Sequence, residues 1–105
     1  MSLIDRLAGF GDSIDNRKLP ITYFWASLYE LSKGKFTRAQ IITQFGLDAG
    51  ETTELDWVIA KYNAMPTAAA KADFVEQVNV ILIMAEAQAP GYTSNSDLVA
   101  RINAI

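Results

Sequence analysis

Hydrophobic positions along the chain recur every three or four residues, and no stretch alternates apolar with polar as a half-buried strand would. In the first segment, Leu3 to Phe10, the residues Leu3, Ile4, Leu7 and Phe10 share one stripe. Gly9 and Gly11 weaken that segment, so it is expected to be short or mobile. A polar connection, GDSIDNRK (Gly11 to Lys18), follows. Pro20 suits the first turn of a second helix, where its missing N–H costs nothing, and Ile21, Phe24, Leu28 and Leu31 continue at helical spacing. Lys33 and Gly34 close it, a cation near the negative end of the dipole and a glycine for a left-handed cap.

Thr37 with Gln40 reads as a capping box for a third helix, with Ile41, Ile42 and Phe45 as its apolar face and Gly46 as its end. Asp48 with Glu51 repeats the pattern for a fourth helix that buries Leu55, Val58, Ile59 and Tyr62. Met65-Pro66-Thr67 breaks the chain before the longest helix, about Thr67 to Gln88. Phe74, Val75, Val78, Ile81, Leu82 and Ala85 form one face of it. Val80, Ile83 and Met84 carry the apolar surface most of the way round, which predicts burial on nearly all sides. Pro90-Gly91 stops this helix, and Ser96 is expected to cap a short last one with Leu98, Val99 and Ile102 inward. The expected fold is all-α: a compact bundle of five or six helices around a long central apolar helix, in one domain over residues 1–105.

Helix, Gly46 turn and acidic helix together outline a DNA-reading helix-turn-helix. Ile41, Phe45, Leu47 and Leu55 fit its apolar positions. Ile42 stands where a small residue lets the helices cross, and Thr52 where an aliphatic residue anchors the second helix. The would-be recognition segment holds Asp48, Glu51, Glu54 and Asp56, with no base before Lys61. DNA carries about one negative charge per 1.7 Å of axis, so such a surface is repelled. Base contacts come mostly from Arg, Lys, Asn and Gln, and none lies between Gly46 and Lys61. A structural helical hairpin is favoured, and nucleic acid is not an expected partner.

Composition narrows the chemistry further. The chain has no cysteine and no histidine, which removes disulfides, thiolate nucleophiles and imidazole bases. Glu51/Glu54 and Asp73/Glu76 are carboxylate pairs at i,i+3, but carboxylate-bridged metal bundles also use Glu-x-x-His, so both pairs are read as complements to a helix dipole. Asp12-Ser13-Ile14-Asp15-Asn16 offers only part of a calcium-loop pattern. No catalytic residue, cofactor or metal is expected, and the chain is not expected to be an enzyme. The opening MSLIDRLAGFGDS lacks the uninterrupted apolar core of a secretory signal, and Val80 to Ala85 is too short to span a bilayer.

Net charge is −3, but it is uneven. Up to Arg38 there are six bases against four acids; beyond it there are three bases against eight acids, giving +2 and −5. A chain polarised in this way can stack on its own copies or dock on a charged platform. Lys33, Lys35 and Arg38 beside Phe36 form a basic cluster, a fallback phosphate site. Tyr23, Phe24, Trp25 and Tyr29 crowd the second helix, and Tyr and Trp are the residues that anchor protein interfaces. Phe24 belongs to the core stripe, and both tryptophans, Trp25 and Trp57, are better placed in or beside the core. The candidate interface comprises Tyr23, Trp25 and Tyr29 together with the acidic face Glu51, Glu54 and Asp56.

The segment GKFTRAQIITQFGLDAGETTELDWVIAKYNAM, followed by KADFVEQVNVILIMAEAQ, resembles small proteins encoded among bacteriophage structural genes. The shared pattern is a threonine-capped helix ending at Phe-x-Leu, then an acidic helix with a Leu-Asp motif. Here these are Thr37, Phe45, Leu47, Asp48 and Leu55-Asp56. The resemblance covers roughly the middle half of the chain and transfers no catalytic residue. It implies a virion structural or accessory protein, located in the particle or in the host cytoplasm during assembly. Its expected partners are other virion proteins or further copies of itself, without a membrane. The alternatives are a phage inhibitor or regulator that binds a host protein and, behind it, a helix-turn-helix DNA-binding regulator.

Overall fold

The computed structural model describes residues 3–10, 19 and 21–105, apart from the side chains of Ile21, Thr22 and Ser32. Pro20, the Gly11–Lys18 connection and the partial calcium pattern at Asp12–Asn16 lie outside the described residues. Six helices appear in the order α1 (Leu3–Ala8), α2 (Ile21–Ser32), α3 (Arg38–Phe45), α4 (Ala49–Ala64), α5 (Ala68–Glu86) and α6 (Asn95–Asn103). No strand occurs among the described residues, so the all-α expectation holds.

Local chemistry sets most boundaries. Thr37 accepts the Gln40 backbone N–H while the Gln40 side chain accepts that of Thr37, and Asp48 with Glu51 does the same for α4. Thr67 caps α5 by accepting the Ala70 N–H. Ser94, rather than Ser96, caps α6, because only Ser94 has an acid three residues on, Asp97, to complete the box. Gly46 ends α3 at φ 60°. Gln88 ends α5 at φ 57°, the one described non-glycine residue with positive φ, while Ala89 donates back to the Met84 carbonyl at 3.0 Å.

The sequence pattern points to α5 as the central helix, and α1 shares that place with it. α1, expected to be short or mobile, is short and almost wholly buried. Leu3, Ile4, Leu7 and Ala8 are each 3% exposed or less, and α1 touches α4, α5 and α6. Burying Leu3, Ile4 and Leu7 contributes about 1.5–3 kcal/mol each, far more than the helix-propensity loss at the flanking Gly9. Tertiary burial, not propensity, holds so short a helix.

α5 likewise departs from expectation. It buries Phe74, Val78, Ile81, Leu82 and Ala85 against α1, α4 and α6. Its opposite side is open: Val80 is 52% exposed, Ile83 57% and Met84 38%. The long helix is therefore central, packed by three others, but its outer side is open rather than buried on nearly all sides. Phe24 and Leu28 of α2, Ile41 of α3, Leu55 and Val58 of α4, and Leu98 and Ile102 of α6 complete the core. No described helix is long and apolar enough to cross a membrane.

Candidate functional site

The acidic face expected on α4 is largely engaged inside the molecule. Glu51 is buried, and its Oε2 accepts from Arg6 Nη1 at 2.7 Å while its Oε1 accepts the Asp48 N–H at 3.1 Å. Arg6 also donates through Nη2 to the Phe45 carbonyl at 3.2 Å, so one guanidinium joins α1 to the end of α3 and the start of α4. Glu51 is thus a structural ion-pair member and not an interface residue. Half-buried Glu54 accepts the Ile4 backbone N–H at 3.2 Å, tying down the start of α1. Asp56 is exposed but takes both Nε and Nη2 of Arg38, at 2.5 and 2.9 Å. That hydrogen bond holds the Asp56 carboxyl below its ordinary range and raises Arg38 above its own. Asp48 is also held low, chiefly by the backbone N–H of Glu51. The physical reason for the correction is distance in sequence: Arg6 lies 45 positions from Glu51 and Arg38 lies 18 from Asp56.

The same pairs bear on the DNA question. Neutralised by Arg6 and Arg38, the α4 carboxylates repel a phosphate less than a bare count implies. The lack of Arg, Lys, Asn or Gln between Gly46 and Lys61 remains, so the segment still has no residue suited to reading base edges.

The basic cluster divides. Arg38 is engaged with Asp56, Lys35 is exposed, and Lys33 lies with Nζ 4.1 Å from the centroid of the Tyr29 ring. The hydrogen bond to Tyr29 raises the Lys33 pKa above the ordinary lysine value. The aromatics divide too. Trp25 is 8% exposed and stands edge-on to Phe24 and Phe74, with ring centroids 5.4 and 6.1 Å apart. It belongs to the core, which removes it from the expected interface, and its buried Nε1–H has no acceptor among the described residues. Trp57 is half-buried beside the core. Tyr23 and Tyr29 stand out on the surface, 66% and 51% exposed.

A stripe on α5 was not among the expected sites. Asp73, Glu76, Val80 and Ile83 follow at i, i+3, i+7 and i+10, with Met84 alongside, all on the side away from the core. Its first half is acidic and its second half apolar. The Asp73/Glu76 pair lies beyond the first turn of α5, so it does not serve the dipole as expected, and no cation is paired with either acid among the described residues. The sequence signal was the excess of apolar residues round α5; what it could not say was which side stays uncovered.

Two open grooves flank this stripe. One, of about 420 Å³, runs between α2 and α5 and is lined by Trp25, Tyr29, Tyr62, Lys71, Ala72 and Val75. The other, of about 630 Å³, lies between α5 and α6, with Asp73 and Glu76 beside Val80, Ile81, Arg101 and Ile105. Arg101 is held by stacking 3.8 Å from the Tyr92 ring centroid and by donating to the Gly91 carbonyl at 3.0 Å. No group of three His, Cys, Asp or Glu side chains able to hold a metal occurs among the described residues. Compared with protein-family models, curated proteins and solved structures, the chain shows no match.

Proposed function

We propose that the chain is a non-enzymatic structural or accessory protein of a bacteriophage particle and that it works through protein contacts. The phage setting rests on the sequence resemblance. The mode of action rests on one observation: Val80, Ile83 and Met84 lie together on the outer side of α5, beside Asp73 and Glu76. Small folded proteins rarely leave a contiguous apolar strip in water without a use for it, and an acidic margin gives such a strip orientation. Exposed Tyr23 and Tyr29 add aromatic anchors on α2.

The test is composition of purified particles. Particles produced in the cell that carries this chain are banded by density and their proteins quantified by mass spectrometry. The chain is expected in fixed stoichiometry with the major structural proteins. Its absence from particles, with recovery instead on one host protein in the lysate, would replace this reading with that of a host-directed regulator.

A further inference from the structure

We propose that the chain associates with a second copy of itself, the outer face of α2 in one copy lying antiparallel on the outer stripe of α5 in the other. This names the partner for the contact-based function above and rests on that reading.

Two surfaces carry the inference, and they match in order, charge and length. On α2 the exposed side runs from Tyr23 through Ala26 to Tyr29, with exposed Lys33 and Lys35 just past the end of the helix. It is aromatic at its start and basic at its end. On α5 the exposed side runs from Asp73 and Glu76 to Val80, Ile83 and Met84. It is acidic at its start and apolar at its end. Laid antiparallel with Tyr23 at Ile83 and Met84, the two bring Ala26 to Val80, Tyr29 to the turn between Glu76 and Val80, and Lys33, with Lys35 just beyond it, to Asp73. Ten residues separate Tyr23 from Lys33, and ten separate Asp73 from Ile83. At about 1.5 Å per residue, each stripe is roughly 15 Å long.

A parallel arrangement would set the lysines against Ile83 and Met84 and the acids against Tyr23, so charge selects the direction. Lys33 lies over the Tyr29 ring, so the cation and the aromatic present one edge. Because the two stripes differ, the contact joins unlike surfaces. It closes as a reciprocal pair if both copies use both stripes at once, and otherwise propagates from copy to copy.

The test is sedimentation of the full chain and of two charge-reversed variants, Lys33→Glu/Lys35→Glu and Asp73→Lys/Glu76→Lys. The wild-type chain is expected to self-associate, more weakly as salt rises, because the pairing charges are exposed. Each variant alone should bind itself at least about tenfold more weakly. Mixed together they should associate again, since the acidic α2 of one then meets the basic α5 of the other. All four positions are exposed, and far-UV circular dichroism checks that each variant is folded. A wild-type chain that stays monomeric up to about 1 mM overturns the inference. So do variants that each self-associate as wild type, or a mixture that stays monomeric. A chain that is monomeric yet present in particles overturns this contact alone and leaves the proposed function standing. One that self-associates yet is missing from particles does the reverse.

Discussion

Removing either member of the Arg6–Glu51 pair should unfold the molecule far more easily than removing both. The two side chains are only 10% and 2% exposed, and their nitrogen and oxygen are 2.7 Å apart. Arg6→Met leaves a buried carboxylate facing no cation. Glu51→Gln leaves a buried guanidinium and offers one acceptor where the carboxylate offered two, so either Arg6 or the Asp48 N–H loses its partner. Breaking a buried pair from one side costs about 3–5 kcal/mol. For a domain of this size each kcal/mol lowers the melting temperature by roughly 4–8 °C, so each single variant should melt roughly 12–40 °C lower. The double variant Arg6→Met/Glu51→Met removes both charges. It loses half a capping box and the Arg6–Phe45 hydrogen bond, about 1 kcal/mol each, and is relieved of desolvating two ions, so it should lie within about 2 kcal/mol of wild type. Urea denaturation followed by circular dichroism on the four proteins should give a coupling of about 4 kcal/mol or more. Single costs under about 1 kcal/mol, or a double variant whose loss is the sum of the singles, would refute the view that this pair seats α1.

Other expectations follow from the same structure. Phe74→Ala should cost about 3–5 kcal/mol in denaturant and shift the tryptophan emission, because Phe74 is fully buried and meets Trp25 edge-on; unchanged emission would remove Trp25 from the core. Gln88→Gly should raise stability by up to about 1 kcal/mol, since Gln88 holds φ 57° at the end of α5; a lower melting temperature would mean the Gln88 side chain matters more than its backbone. Because hydrogen bonds depress the folded-state carboxyls of Asp48 and Asp56, their stabilisation is present above their ordinary pKa near 4 and is lost as pH falls below it. Asp48→Asn/Asp56→Asn should therefore flatten the acid limb of a pH–stability curve and leave the neutral-to-alkaline part parallel to wild type.

What the sequence reveals depends on how far each interaction reaches. The boxes Thr37/Gln40 and Asp48/Glu51 are legible because both partners lie within one turn. Ser94 with Asp97 is equally legible, since Ser96, the expected cap, has no acid at the right offset. The seat of α1 was not legible, because Gly9 lowers local propensity while the compensating burial comes from α4, α5 and α6. The fate of the α4 acids was hidden for the same reason, since Arg6 meets Glu51 only in the folded chain. Tyr23 and Tyr29 could be placed off the core stripe by spacing alone, whereas Trp25, at its edge, needed Phe74 to show that it turns inward. Periodicity marks Val80, Ile83 and Met84 as apolar but carries no information about whether a neighbour covers them.

The central claim is that the working surface lies on the outer side of α5 and not on the acidic face of α4. Incorporation into purified particles, compared between Val80→Asp/Ile83→Asp and Asp56→Asn, tests it most directly. Both changes are at exposed positions, so both proteins should melt close to wild type. The first variant should be lost from particles and the second retained at wild-type stoichiometry; retention of the first with loss of the second would contradict the account.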